Sequence, residues 1–212
     1  MYEIAVDMAN GKQDILMKNQ YLELYTQQIT LSTIYALIFK IAKIQSSSIL
    51  QYINAIANAF TILGILFITK QLGKKLEVTK INSLLISLSF ITLPFLSTFV
   101  YGDMISLPLC LFSVYFIMRY SETKKINYAL ISMFLMAIAY MARMNNLIFI
   151  IAVAVYLLLE IFSIESKNTK KILKEIVVLI LFVTVSIIPA TETKKYWGNR
   201  LELEQSKSFP TT

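Results

Sequence analysis

Residues 126–163 read INYALISMFLMAIAYMARMNNLIFIIAVAVYLLLEIFS and carry only two charged side chains, Arg143 and Glu160. Two apolar blocks, Ile126–Ala142 and Leu147–Ser163, stand on either side of the short interruption RMNN. A helix needs about 20 apolar residues to cross the roughly 30 Å hydrocarbon core of a bilayer. The stretch therefore predicts two short transmembrane helices joined by a tight turn.

The rest of the chain repeats this pattern of apolar blocks separated by short connections. Hydrophobic residues make up 57% of the 212 positions and charged residues 16%, whereas a soluble domain has roughly 45–50% and about 25%. We therefore predict an all-α, multi-pass bundle in the cell membrane, with about six transmembrane helices. The other four predicted crossings are Leu50–Thr69, Ile81–Val100, Met104–Met118 and Ile172–Pro189.

The stretch Ile29–Ile44 differs from the six blocks because its apolar residues recur at three- and four-residue spacing. Two lysines lie on its opposite face, which is typical of an amphipathic helix in the plane of the membrane interface. The alternative is a short spanning helix whose lysines snorkel to the head groups. The expected apolar face comprises Leu31, Ile34, Ile38 and Ile41, and the expected polar face comprises Thr33, Ala36, Lys40 and Lys43.

The net charge of +7 does not indicate nucleic acid, because the basic residues lie in the gaps between apolar blocks. The gaps after Thr69, Met118 and Ser163 are rich in Lys and Arg, and alternating crossings place all three on one side. The positive-inside rule makes that side cytoplasmic. We therefore divide the chain into an outer-face segment (1–49), a transmembrane bundle (50–189) and an outer-face loop (190–212).

The sequence has no histidine and one cysteine, which excludes the usual zinc sites and the Ser-His-Asp and Cys-His catalytic arrangements. Asp103 stands out because it lies in the turn Tyr101-Gly102-Asp103 between two predicted crossings. Its carboxylate can ligate a divalent cation or orient a sugar hydroxyl. Alternatively, it caps a helix that begins at Met104.

Arg143 also has two interpretations. Its planar guanidinium suits a lipid phosphate, or it is a turn residue that snorkels to the head groups. Tyr21, Glu23 and Tyr25 precede the amphipathic helix, where they line a substrate or anchor the chain at the interface.

Four stretches together resemble a known family. They are Tyr2-Glu3-Ile4-Ala5 followed by Gly11; Tyr21-Leu22-Glu23-Leu24-Tyr25 followed by Gln27-Gln28-Ile29; Tyr101-Gly102-Asp103 with Pro108; and Ala142-Arg143-Met144-Asn145-Asn146. Their order is similar to that of the GT-C class of membrane glycosyltransferases. The likeness is to the branch of protein O-mannosyltransferases and the aminoarabinose transferase of lipid A, in its Gram-positive bacterial versions.

This resemblance implies transfer of a sugar from a polyprenyl-phosphate donor to a cell-envelope acceptor on the outer face. It also implies that Asp103 binds a divalent metal (Mg or Mn) or the donor, and that Arg143 contacts the donor phosphate. The substrate-lining residues it implies are Tyr21, Glu23, Tyr25 and Tyr101.

The catalytic carboxylate of the family follows an earlier transmembrane helix, and its position would fall before Met1. We therefore expect a fragment that is inactive alone, or a second chain that supplies the missing helices. The alternative function is a transporter or flippase subunit, which should show intramembrane charges or broken helices in corresponding halves.

Overall fold

The computed structural model describes residues 1–12, 21–22, 25–76, 98, 101–163 and 169–201. These parts of the chain contain helices, turns and connecting segments but no strand, which confirms the all-α prediction. The helices are α1 (Tyr2–Asn10), α2 (Gln28–Ala42), α3 (Ser47–Leu76), α4 (Gly102–Thr123), α5 (Ile126–Ala142), α6 (Leu147–Phe162) and α7 (Thr169–Arg200).

Four helical stretches are long and apolar enough to cross a membrane. They are Ser47–Gly73, Gly102–Thr123, Met144–Phe162 and Thr169–Arg200. Helix α5 has the predicted bounds and 17 residues, or about 25 Å at 1.5 Å per residue, slightly less than the hydrocarbon core. The predicted crossing Ile81–Val100 lies outside the described residues.

Helices α3 and α4 run side by side in the same direction. The rings of Phe60 and Phe112 lie 6.2 Å apart, and those of Phe67 and Tyr115 lie 5.4 Å apart, so higher numbers in one helix meet higher numbers in the other. The order of these ring contacts makes α3 and α4 a parallel pair.

A pair of buried serines joins α4 to α5. The Ser113 hydroxyl donates to the Ser132 carbonyl at 2.9 Å, the Ser132 hydroxyl donates to the Ser113 carbonyl at 2.8 Å, and the two hydroxyls are 2.8 Å apart. Both residues are fully buried. Such small side chains let membrane helices approach closely while every hydroxyl finds a partner.

Helix α2 covers most of the predicted amphipathic stretch Ile29–Ile44, but its buried face differs from the prediction. Ala36, expected on the polar face, is buried, whereas Ile41, expected on the apolar face, is 73% exposed. Tyr35 and Phe39 are buried because α1 and the bundle cover that side of the helix. The prediction failed because apolar residues of a membrane protein also face lipid, so apolar spacing does not identify the protein-facing side.

Helix α7 continues past the predicted end of its block. It runs through Pro189 to Arg200, so residues 190–200, expected to begin an outer-face loop, are helical instead. Proline is tolerated inside membrane helices because neighbouring groups satisfy the freed carbonyl. The extension matters because Trp197 packs in an apolar cluster with Ile4 of α1 and Ile29 of α2. These elements form a cap over one end of the bundle.

The opposite end, which we call the basic end, holds a cluster of charges. The Lys124 ammonium contacts the Glu160 carboxylate and lies 3.0 Å from the Glu175 carboxylate, while Lys174 donates to the Lys124 carbonyl at 3.4 Å. Burial lowers the pKa of Lys124, but hydrogen bonds to the two carboxylates outweigh burial and raise it. Two of the three basic connections thus meet at one end, as the sidedness prediction requires.

Candidate functional site

Close backbone contact between α4 and α5 builds the candidate site. A Cβ atom added to Gly102 would lie 2.1 Å from the carbonyl oxygen of Ala142 and 3.3 Å from the Leu31 side chain. Only glycine fits at this position. The contact sets the start of α4 directly against the end of α5, and so brings Asp103 beside Arg143.

Asp103 and Arg143 form an ion pair at this junction. The Asp103 Oδ1 atom lies 3.1 Å from the Arg143 Nε atom, with the two side chains 49% and 31% exposed. The contact is ionic, because the buried Nε–H does not point at the carboxylate and has no hydrogen-bond partner among the described residues.

The structure contradicts the prediction that Asp103 caps a helix beginning at Met104. Helix α4 begins at Gly102, and its N-cap residue is Tyr101, whose side chain makes no capping hydrogen bond. Asp103 lies within the first turn, where a negative charge is still favourable beside the positive end of the helix dipole. Its carboxylate is therefore available to Arg143.

The turn after α5 is held rigidly by its own residues. Arg143 is extended, with φ −152° and ψ 110°, and is followed by a single 3-10 turn, Met144–Asn146. The Asn146 side-chain amide is buried and donates to the Ala139 carbonyl at 2.9 Å, and the same carbonyl accepts the backbone N–H of Arg143 at 3.0 Å. The turn presents the Arg143 side chain at the end of the bundle opposite the basic end.

A small polar cleft opens beside Arg143, with a volume of about 130 Å³. It has room for about four water molecules at roughly 30 Å³ each. Its walls combine residues at the start of α2 with residues of the turn after α5. The residues that line it are Gln27, Gln28, Ala142, Arg143, Met144 and Asn145.

Three of the four residues predicted to line a substrate are neighbours at this end. The rings of Tyr21 and Tyr25 are 4.9 Å apart, and both side chains and that of Tyr101 are exposed. Partial burial of the Tyr21 hydroxyl, and then proximity to Tyr25 and Tyr101, raises the pKa of Tyr21. Its phenol is therefore neutral at ordinary pH. Glu23, the fourth residue, lies outside the described residues.

Tyr35 was not identified from the sequence. Its side chain is fully buried, and its hydroxyl has no hydrogen-bond partner among the described residues. Burial, and then the nearby Asp103 carboxylate, holds its pKa well above the usual range. A tyrosine in an apolar helix looks like a packing residue, so the sequence carried no signal for this position.

The described residues do not supply a set of ligands for a divalent cation. None of them form a group of three or more His, Cys, Asp or Glu side chains that could hold a metal. Asp103 is a single carboxylate paired with a guanidinium, whereas Mg²⁺ takes six oxygen ligands in octahedral geometry. The metal implied by the resemblance stays a prediction.

A family model described as dolichyl-phosphate-mannose-protein mannosyltransferase matches residues 27–188. The match covers more than half of the chain and includes Gln27, Asp103 and Arg143. The chain belongs to this family. Searches of curated proteins and of solved structures found no match.

Membership of the dolichyl-phosphate-mannose-protein mannosyltransferase family confirms the resemblance to GT-C enzymes. It places the chain among the membrane glycosyltransferases and agrees with the four long apolar helices of a multi-pass membrane protein. The family match concerns the whole matched range, so the roles of individual side chains rest on the geometry described above.

Proposed function

We propose that this chain takes part in transferring a sugar from a polyprenyl-phosphate-linked donor to a cell-envelope acceptor at the outer face of the membrane. The single observation that carries this proposal is the placement of Arg143. Arg143 lines the polar cleft, and its guanidinium lies beside the Asp103 carboxylate, at the end of the bundle opposite the basic end. A cation at head-group level beside a polar cleft suits the phosphate of a lipid-linked sugar.

Arg143 would bind the donor phosphate, because a guanidinium forms paired, charge-assisted hydrogen bonds with phosphate oxygens. The amides of Gln27, Gln28 and Asn145 would donate to the remaining oxygens. Asp103 would accept a hydrogen bond from a sugar hydroxyl, since its carboxylate is half-exposed beside the cleft. The exposed rings at positions 21, 25 and 101 would line the approach of the sugar.

The proposal requires the Asp103 end to face outward, and this can be tested by cysteine labelling in intact cells. Asp103→Cys and Lys124→Cys form a matched pair, because the native side chains are 49% and 43% exposed. The native Cys110 is fully buried and should stay silent. A membrane-impermeant maleimide should label position 103 at once and position 124 only after permeabilisation. The reverse pattern would contradict the proposal.

Sugar transfer can be measured in membranes of source cells whose chromosomal gene is deleted and replaced by variants. Such membranes retain any second chain that the activity needs. Wild type should restore transfer from radiolabelled polyprenyl-phosphate hexose to envelope material. Arg143→Gln should lower it about 10- to 150-fold, because hydrogen bonds to charged groups contribute roughly 1.5–3 kcal/mol.

The matched control is Arg119→Gln at the basic end, where Arg119 lies 3.1 Å from Glu122. Sugar transfer by this variant should not change.

Treating the membranes with EDTA and then adding Mg²⁺ or Mn²⁺ tests the predicted metal. Full transfer in the deletion strain would refute the proposed function and favour the transporter or flippase alternative.

A further inference from the structure

Arg143 has one carboxylate beside it and also lines the polar cleft. The Asp103 carboxylate lies 3.1 Å from Nε in poor alignment with its N–H. The cleft is lined by Arg143 together with Gln27, Gln28 and Asn145. A buried guanidinium N–H without an aligned acceptor is an unused donor at the edge of a cleft.

We propose that Asp103 is a built-in competitor, which occupies Arg143 until a phosphate group enters the polar cleft and takes its place. This inference rests on the proposed function, since it assigns the phosphate to the lipid-linked donor. Donor binding would then do two things at once. It would place the phosphate on Arg143, and it would release the Asp103 carboxylate to face the sugar.

The exchange is favourable because the two partners of Arg143 differ in strength. The ion pair is partly exposed to water, and such pairs are weak because solvent screens them. A phosphate group offers several oxygens to the guanidinium fork and forms shorter, charge-assisted bonds. Only the phosphate can also accept hydrogen bonds from the amides across the cleft.

The exchange requires side-chain movement alone. The backbone on both sides is fixed, because Gly102 lies against the Ala142 carbonyl and the Asn146 side chain donates to the Ala139 carbonyl. Two anions close to one guanidinium repel each other. Phosphate binding therefore weakens the pairing of Asp103 with Arg143, and that pairing weakens phosphate binding by the same factor.

A competitor of this kind also provides selectivity. An unpaired arginine at head-group level would bind any phospholipid phosphate within reach. With Asp103 in place, a ligand must supply enough contacts in the cleft to displace the carboxylate, and a ligand with fewer contacts binds less well. We therefore expect the donor lipid to compete better than bulk anionic phospholipid.

The test measures the dissociation constant of a short-chain polyprenyl phosphate for the purified full chain in phosphatidylcholine nanodiscs. Asp103→Asn should bind it about 2- to 5-fold more tightly, the gain expected from removing a weak ion pair. Arg143→Gln should bind it more weakly. In the Arg143→Gln background, Asp103→Asn should have no further effect.

The matched control is Asp7→Asn, which removes a carboxylate at the same end of the molecule, where Asp7 lies 3.7 Å from Lys12. This variant should bind as wild type does, which excludes a general effect of net charge. Asp103→Ser is a second variant in case Asp103→Asn unfolds, and the melting temperature of each protein is checked first.

Unchanged or weaker binding by both Asp103 variants would overturn the exchange. If wild type still transfers sugar in source-cell membranes, the proposed function survives that result. Nanodiscs containing phosphatidylglycerol, and solutions of inorganic phosphate, distinguish the possible sources of phosphate. Competition by either one as strong as that of polyprenyl phosphate would overturn the assignment to the donor.

Discussion

Replacing Gly102 with alanine should separate Asp103 from Arg143 without changing either residue. The new Cβ would lie 2.1 Å from the Ala142 carbonyl oxygen, and such contacts are not tolerated below 3.0 Å. The start of α4 and the end of α5 must therefore move apart by at least about 0.9 Å, because the new Cβ is fixed to the backbone and the atom it meets is a backbone oxygen. Overpacking of this kind costs about 1–3 kcal/mol.

This cost should lower the midpoint of thermal unfolding in detergent by roughly 2–12 °C for a chain of this size. Misplacing reacting groups by about 1 Å can lower a rate on the order of 100-fold. The rate of sugar transfer in source-cell membranes should therefore fall by a larger factor than the loss of thermal stability alone would explain. The assay compares melting temperature with transfer rate for the same variants.

Two other glycines serve as controls for Gly102→Ala. At Gly64 the new Cβ would meet the Leu111 side chain at 3.0 Å, and at Gly198 it would meet nothing within 4 Å. Gly64→Ala should therefore have an intermediate effect on melting, and Gly198→Ala none. Equal melting and equal transfer for Gly102→Ala and Gly198→Ala would refute the argument that the α4–α5 contact builds the site.

Three further changes test the rest of the bundle. Lys124→Met leaves the buried Glu175 without its cation and should lower the melting temperature, while Glu175→Gln added to it should restore part of the loss. Because the pKa of Lys124 is raised above its usual 10.5, its stabilisation is fully present below pH 10.5 and is lost as the pH rises through the raised pKa. The melting temperatures of wild type and Lys124→Met should therefore converge in that alkaline range, and a constant difference would contradict this. Ser132→Ala should cost about 0.6 kcal/mol and Ser132→Val clearly more, since the helices are in close contact there; equal costs would argue against close packing. Asn146→Ala should cost about 1 kcal/mol through the lost hydrogen bond to Ala139, measured by denaturant melts, with no loss expected for the exposed Asn145→Ala.

The sequence was sufficient to predict the helical bundle, because crossing a bilayer imposes a length and an apolarity on each helix. The sequence also predicts an inward-facing polar stripe on α3, formed by Gln51, Asn54, Asn58 and Thr61; the last three are buried, whereas Gln51, near the start of the helix, is exposed. Unpaired amides in lipid are costly, so the direction of such a stripe follows from composition alone.

Other features could not be predicted because they depend on which helices meet. The approach of Gly102 to Ala142 and the burial of Tyr35 involve residues far apart in the chain. A glycine at such a position can serve several structural purposes, and only its contact with the Ala142 carbonyl shows why Gly102 is needed. The sequence therefore identified Asp103 and Arg143 separately, whereas the structure supplied their pairing.

The charge cluster at Lys124 has a consequence for biogenesis. Ribosomes make the chain from its amino terminus, so the turn that carries Lys124 exists before Glu175 has been synthesised. The carboxylate of Glu175, near the start of α7, therefore meets a counterion that is already in place when its own helix packs. Translation of this chain therefore places the cation of the pair in the protein before the carboxylate that it neutralises.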